Sequence, residues 1–180
     1  MTVHRIHIER TDITTLVVDA IVNAANEAML GGGGVDGAIH QAAGPELLAE
    51  CESMPEVRPG VRCPTGQACI TAAYKLPVRH VIHTVGPVYR DGLSGEPAAL
   101  AACYRNCMKI AAKHELRSIA FPAISCGVFG YPPSDAAQIA IRETREFLAS
   151  DNSLQSVVLV AFGSETEGSL REALATSHDS

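Results

Sequence analysis

Four consecutive glycines at residues 31–34, the first glycine loop, constrain this chain more than any other feature of its sequence. Glycine loses more backbone freedom on folding than any other residue, so a compact domain keeps such a run only where side chains would obstruct something. An apolar run over residues 16–22 predicts a buried strand before the glycines, and residues 35–43 predict a helix after them. A glycine loop that leads into a helix N-terminus offers bare N–H groups and a favourable dipole to an anion. The loop therefore predicts a site for a phosphate-bearing ligand.

Two polar residues flank the first glycine loop. Asn26 stands near the end of the predicted strand, and Asp36 falls in the first turn of the predicted helix. Each also has a purely structural interpretation, because acids favour a first helical turn and asparagine favours turns. Their placement around four glycines favours a function, with a sugar or a water molecule handled beside the phosphate. His40 lies one helical turn beyond Asp36, where a structural role is expected, although it could orient that carboxylate.

Strands and helices alternate along most of the chain. Strands are predicted over residues 3–9, 16–22, 68–73, 80–85, 118–123 and 156–162, and helices over 35–43, 46–54, 97–114, 133–148 and 165–175. This alternation is typical of an α/β fold with a largely parallel sheet and helices on both faces. A second glycine loop, residues 124–132, also follows a strand and precedes a helix. Because ligands gather at the carboxyl ends of parallel strands, we expect both glycine loops at one edge of the sheet.

Length and composition narrow the possible functions. A chain of 180 residues predicts a single domain over residues 1–180. No run approaches the ~20 apolar residues of a membrane span, and residues 1–10 lack a signal-peptide core, so we expect a cytoplasmic protein. The net charge of −6 argues against nucleic-acid binding, which needs a basic field, so backbone amides would have to hold a bound anion. Six cysteines include no CxxC pair, so no metal site is predicted.

Two well-known nucleotide-binding motifs do not fit. Residues 32–37 match the pattern GxGxxG, but residues 24–30 separate the glycines from the strand. The segment after the predicted helix, residues 43–60, also lacks the acid-ending second strand that a dinucleotide-binding fold requires. No Gly-Lys-Ser/Thr sequence follows either glycine loop, which excludes the phosphate-binding loop of NTPases.

A cysteine nucleophile is one alternative for the chemistry of the site. Cys126 lies in the second glycine loop, where a helix N-terminus could lower its pKa and make it a nucleophile, although no histidine is close in sequence. His80 and His83 lie on one predicted strand with different facings and are expected in the core or at the surface rather than as ligands. Asn23 could be a cap at the end of its strand, although its placement near the four glycines favours a function.

These motifs resemble the macrodomain family, in its MacroD-type branch. The similar segments are DIT at residues 12–14, DAIVNAAN at 19–26, GGGGVDGAIH at 31–40, AAG at 42–44, HTVGP at 83–87, FPAIS at 121–125 and GYP at 130–132. The resemblance spans residues 5–165. It implies a three-layer α/β/α sandwich with a mixed, mostly parallel sheet that binds ADP-ribose. It also implies removal of ADP-ribose from acidic side chains of proteins and of acetate from O-acetyl-ADP-ribose, without a cofactor or metal.

The resemblance assigns roles to individual residues. Asp36 would act on the hydrolytic water, and Asn26 would hold the distal ribose. Asp12 would accept a hydrogen bond from the adenine amine, with the Ile13 backbone beside it, and Phe162 would flank the adenine. The remaining implied contacts are to the distal ribose and the diphosphate, from Gly33, Gly34, Val35, Ser125, Cys126, Gly127, Val128 and Phe129.

Three positions differ from the usual family pattern. Thr11 stands where glycine is usual, Cys126 where threonine or serine is usual, and Phe129 where bacterial members often carry tyrosine. The implied partners are ADP-ribose, O-acetyl-ADP-ribose and ADP-ribosylated proteins, with no membrane. The alternative within the same fold is a non-catalytic ADP-ribose reader, which would have less need of both Asp36 and Asn26.

Overall fold

In the computed structural model, which describes residues 2–177, a six-stranded sheet lies between two layers of helices. The strands are β1 (Ile6–Arg10), β2 (Ala20–Ala24), β3 (Ala68–Ala72), β4 (His80–Thr84), β5 (Ser118–Phe121) and β6 (Ser156–Ala161). Their order across the sheet is β1-β6-β5-β2-β4-β3, and every neighbouring pair is parallel except the edge pair β3–β4. The α-helices are α1 (Gly34–Ala43), α2 (Pro45–Ser53), α3 (Glu96–Lys113), α4 (Pro133–Ser150) and α5 (Ser164–Thr176).

The two helical layers bury two separate hydrophobic cores against the sheet. Helices α1 and α2 pack on one face, and α3, α4 and α5 pack on the other. Successive strand residues point to opposite faces, so Ile21 joins the first core and Val22 the second, and both are fully buried. This burial on both faces explains why the parallel strands are continuous apolar runs, and the expected three-layer α/β/α fold is confirmed. No helix of the described chain is long and apolar enough to cross a bilayer.

Two strands begin later than the sequence predicts. Residues 3–5 of the predicted first strand belong to a 3₁₀ turn, Thr2–Arg5, and the Arg5 guanidinium donates to the carbonyls of Asp151 and Leu154 at 2.8 Å. The predicted strand over residues 16–22 starts only at Ala20, because Val17 is 83% exposed outside the sheet. The strand also continues to Ala24, since residues 20–24 pair in register with residues 80–84 of β4.

The sheet order places both glycine loops side by side. The first follows β2 and the second follows β5, and these two strands are parallel neighbours. Strand β6 is the next neighbour of β5, so Phe162 emerges at the same edge. The prediction that both loops meet at the carboxyl edge of the sheet is therefore confirmed.

Candidate functional site

A cleft of about 700 Å³ opens at the carboxyl edge of the strands. Every residue singled out from the sequence as a candidate site residue lines it. These are Asp12, Ile13, Asn26, Gly33, Gly34, Val35, Asp36, Ser125, Cys126, Gly127, Val128, Phe129 and Phe162. The sequence interpretation did not single out Gly86 or Thr166, which also line the cleft and come from segments before α3 and inside α5.

The first glycine loop leads into α1 without a side-chain cap. Gly33 is the N-cap, and Gly34 adopts a positive φ of 58°, a conformation that glycine tolerates without strain. A Cβ at Gly37 would lie 2.6 Å from the carbonyl oxygen of Gly32, so the loop can fold back on the helix only because residue 37 is glycine. Because no side chain caps the first turn, its N–H groups remain available to a ligand in the cleft.

The second glycine loop is held by its own backbone and by the segment before α3. Ser125 adopts a positive φ of 66°, and its hydroxyl donates to the carbonyl of Pro87 at 2.7 Å. Any side chain at Gly86 would collide with Ser125 Oγ, so this close approach requires glycine. Within the described residues, the N–H groups of Gly127, Val128 and Phe129 have no protein hydrogen-bond partner. The second loop thus offers a further set of amide donors.

The charge around the cleft matches an amide-bound anion. Of the residues that the structure describes, no lysine or arginine lines the cleft. Two convergent sets of backbone N–H groups, one at a helix N-terminus, can bind a diphosphate without a cationic side chain. An anion site built from amides is therefore consistent with the net charge of −6, which argues against a site built from basic side chains.

Asp36 is a buried carboxylate with its two oxygens in different surroundings. The residue is 5% exposed, its Oδ1 accepts a hydrogen bond from Asn23 Nδ2 at 2.8 Å, and His40 Nε2 lies 3.4 Å from the same oxygen. Across residues 2–177, Oδ2 accepts no protein hydrogen bond. A Cβ at Gly32 would lie 3.1 Å from Asp36 Oδ2 and 3.5 Å from Asn26 Nδ2. Glycine at that position therefore leaves space beside both polar groups.

Asn26 is exposed and shapes the first glycine loop. Its side-chain oxygen accepts from the Met29 N–H at 3.0 Å, and its amide nitrogen donates to the Gly31 carbonyl at 3.1 Å. The turn interpretation of Asn26 is therefore correct in part. The amide has a second hydrogen, so the turn leaves one donor for a ligand.

Behind Asp36 lies a buried chain of polar side chains. Asn23 Nδ2 is 3.1 Å from His83 Nδ1, and His83 Nε2 is 2.9 Å from Thr71 Oγ1. His83 is a core residue, as expected, but it is linked through Asn23 to the site, and the sequence does not reveal this link. The interpretation of Asn23 as a strand-end cap is wrong, because its side chain bonds to Asp36 and His83 instead.

The far end of the cleft combines an acid with exposed apolar side chains. Asp12 Oδ1 accepts from the Thr14 N–H at 2.9 Å and caps the 3₁₀ turn Ile13–Thr15. In the described chain, Asp12 Oδ2 has no protein partner, so the turn engages one carboxylate oxygen only. Phe162 is 94% exposed and Val128 is 99% exposed at the mouth of the cleft. An aromatic ring left so exposed is available to stack on a planar ligand.

Cys126 does not have the electrostatics of a nucleophile. Burial raises the pKa of its thiol to about 11, and the side chain packs against the core on the α3 side. The expectation that the second glycine loop lowers the pKa of Cys126 is therefore wrong. No cluster of histidine, cysteine and acidic side chains among residues 2–177 is arranged to hold a metal ion.

Comparisons with known proteins place the chain in a family. It matches the Macro domain family over residues 22–140. A macro domain-containing protein of Xanthomonas campestris is 58% identical over 172 residues, 96% of each chain. An O-acetyl-ADP-ribose deacetylase of Klebsiella pneumoniae is 53% identical over 165 residues, 92% of this chain and 93% of that protein. The Trypanosoma brucei macrodomain in complex with ADP-ribose matches with a TM-score of 0.85 and 43% identity, over 94% of this chain and 69% of that one. The chain belongs to the macrodomain family.

Proposed function

We propose that the cleft binds ADP-ribose, with its diphosphate on the amides of the two glycine loops. The distal ribose lies beside Asn26 and Asp36, and the adenine lies between Phe162 and Asp12. Three observations support this proposal: amide donors from two loops, a lining that contains no lysine or arginine among the described residues, and an exposed aromatic ring at one end. The ADP-ribose complex of the trypanosomal relative also supports it.

We further propose that the protein hydrolyses esters of ADP-ribose. It removes acetate from O-acetyl-ADP-ribose and ADP-ribose from acidic side chains of proteins. The observation that carries this proposal is Asp36, a buried carboxylate with Oδ1 engaged by Asn23 and Oδ2 free of protein partners within the described chain. The name of the Klebsiella relative supports the first of the two substrates.

In the proposed reaction Asp36 Oδ2 holds a water molecule beside the distal ribose. The water oxygen bonds to the carbon under attack, the ester carbon–oxygen bond breaks, and the oxygen that leaves takes up a proton. The proton lost by the water passes to Asp36 or to a substrate phosphate. A positioned base typically contributes ~10²–10⁴-fold to the rate, which is about 3–5 kcal/mol of barrier.

The test supplies both substrates separately to the purified protein. O-acetyl-ADP-ribose should yield acetate and ADP-ribose, and a protein carrying glutamate-linked mono-ADP-ribose should release free ADP-ribose. Excess ADP-ribose should inhibit both reactions, because product and substrate share the cleft. Tight ADP-ribose binding without turnover of either substrate would instead identify a reader module.

A further inference from the structure

The directions of the hydrogen bonds behind Asp36 determine which ring nitrogen of His83 carries the proton. Thr71 Oγ1 donates its hydrogen to the carbonyl of Ala72 at 2.9 Å. Because a hydroxyl has a single hydrogen, Thr71 Oγ1 must accept from His83 Nε2, which lies 2.9 Å away. His83 therefore carries its proton on Nε2 and presents a lone pair at Nδ1.

That lone pair faces the amide of Asn23. Asn23 Nδ2 lies 3.1 Å from His83 Nδ1 and 2.8 Å from Asp36 Oδ1, so its two hydrogens serve one acceptor each. The reversed amide would turn its oxygen toward the imidazole lone pair and the carboxylate, and both contacts would be repulsive. The observed orientation leaves Asn23 Oδ1 buried without a hydrogen-bond partner in the described chain. Native proteins rarely leave such an oxygen unpaired. The two hydrogen bonds that the amide donates must therefore outweigh the cost of the unpaired Asn23 Oδ1.

Sheet register brings these groups together. His83 on β4 and Asn23 on β2 are directly paired residues of parallel neighbouring strands, so their side chains share one face of the sheet. Asp36 reaches the same face from the first turn of α1. Each of the three residues is at most 5% exposed, so water does not compete for these hydrogen bonds.

The imidazole stays neutral in this setting. Burial, with a smaller contribution from the neighbouring His40, lowers the pKa of His83 to about 3. A protonated ring would carry a hydrogen at Nδ1 and could not accept from Asn23.

We propose that His83 is a positioning residue for the hydrolysis. Its Nδ1 lone pair fixes the Asn23 amide, and that amide holds Asp36 with Oδ1 engaged and Oδ2 directed to the water. The inference rests on the proposed hydrolase function, because His83 would position the carboxylate that binds the hydrolytic water.

Two substitutions of His83 distinguish the effect of the hydrogen-bond acceptor at Nδ1 from the effect of side-chain size and polarity. Asparagine at residue 83 places its side-chain oxygen near the position of Nδ1, whereas glutamine reaches the position of Nε2 and leaves Nδ1 unreplaced. We expect His83→Gln to lower kcat for O-acetyl-ADP-ribose by about tenfold or more, with KM and the Kd for ADP-ribose within about twofold. His83→Asn should keep kcat within about threefold of the wild type. In an Asn23→Ala background, His83→Gln should lower kcat no further.

Val81→Ala is the matched control for lost stability. Val81 is fully buried two residues before His83 on β4 and takes no part in the polar chain. The control should lower the melting temperature and leave kcat unchanged. Equal loss of kcat in His83→Gln and His83→Asn, or no loss in either, would overturn the positioning role.

A second measurement does not depend on activity. In ¹⁵N-histidine spectra at neutral pH, the His83 ring should show a protonated Nε2 and an unprotonated Nδ1. A proton on Nδ1 would overturn the inference whatever the kinetics show. A wild-type protein that hydrolyses neither substrate would refute the proposed function, and the spectrum would still decide the state of His83.

Discussion

Asp12 offers its two carboxylate oxygens to different partners. One oxygen caps the 3₁₀ turn through the Thr14 N–H, and the other has no protein partner among the described residues. The proposed adenine contact uses that second oxygen, so one residue serves both local structure and binding.

Asp12→Asn separates these two roles. Asparagine can still cap the turn with its oxygen, but its amide group cannot accept from the adenine amine. We expect ADP-ribose binding to weaken by ~1.5–3 kcal/mol, the usual range for a hydrogen bond to a charged group, with little change in melting temperature. Calorimetry with Asp12→Asn and Asp12→Ala gives the comparison. Wild-type affinity in Asp12→Asn would show that Asp12 acts only as a cap.

Cys126 tests the thiol mechanism directly. Because burial raises the pKa of Cys126 to about 11, the thiol stays protonated at neutral pH and should react slowly with iodoacetamide. Cys126→Ser keeps a small polar side chain and should retain most of the hydrolase activity. Loss of turnover in this variant with ADP-ribose binding intact would favour a cysteine nucleophile over Asp36.

The candidate site shows which residues a sequence can identify. Asn26 and Asp36 stand a few residues from the four glycines, so local spacing was enough to single them out. Thr71 and His83 are distant from Asp36 in sequence, and strand register and packing link them to it only through Asn23. The motif HTVGP contained His83, but the sequence did not reveal the hydrogen bond that links it to the site.

The segment between β4 and α3 supports the second glycine loop. The Tyr89 N–H donates to the Phe129 carbonyl at 2.8 Å, and the rings of Tyr89 and Tyr131 lie 4.8 Å apart. Glu96, the first residue of α3, organises this segment with its carboxylate. Its Oε2 accepts from the N–H groups of Arg90, Asp91 and Gly92 at 2.9–3.0 Å.

Glu96→Gln should therefore loosen the second glycine loop from a distance. Hydrogen bonds from these N–H groups, led by Arg90, lower the pKa of Glu96 to about 2. The ionised carboxylate stabilises the fold fully above its ordinary pKa near 4.5, and this contribution falls as the pH drops toward 2. The wild type should melt above Glu96→Gln at pH 6, and the gap should narrow at pH 3.

The matched control for Glu96 is Glu172→Gln, an exposed acid on α5 that should leave melting and binding unchanged. ADP-ribose affinity should fall in Glu96→Gln, because the amides of the second glycine loop are less well fixed. A gap in melting temperature that stays constant between pH 3 and pH 6 would contradict the role assigned to the Glu96 carboxylate.

Most elements of the fold follow from the sequence, and the exceptions have physical causes. Buried parallel strands give continuous apolar runs, whereas the amphipathic helices between them place apolar residues every three to four positions. The type and order of the secondary-structure elements were therefore predictable. The bounds of β2 were not predictable: the apolar Val17 is exposed before the strand starts, and the polar Asn23 belongs to the strand beyond its predicted end. The 3₁₀ turn at Thr2–Arg5 depends on Arg5 bonding to the distant end of α4, which local pattern does not reveal.

The protein carries a net negative charge, and we propose that it binds the anion ADP-ribose. Its net charge is −6, and no lysine or arginine of the described chain lines the cleft. Binding through amides should therefore lack the steep salt dependence of ion-paired sites. We expect the Kd for ADP-ribose to change by less than about threefold between ~50 and ~500 mM NaCl, since salt also screens the overall repulsion. A Kd that rises about tenfold or more over this range would indicate a cationic contact.

We propose that Asp36 makes this macrodomain a hydrolase rather than a reader. The most direct measurement compares the wild type with Asp36→Asn, which keeps the size of the side chain and one oxygen to accept from Asn23, but removes the negative charge and the second acceptor oxygen. We expect kcat for O-acetyl-ADP-ribose to fall by about tenfold or more while the Kd for ADP-ribose stays within about threefold, because the lost interaction acts mainly in the transition state. Unchanged turnover in Asp36→Asn would contradict a role for the Asp36 carboxylate in the reaction.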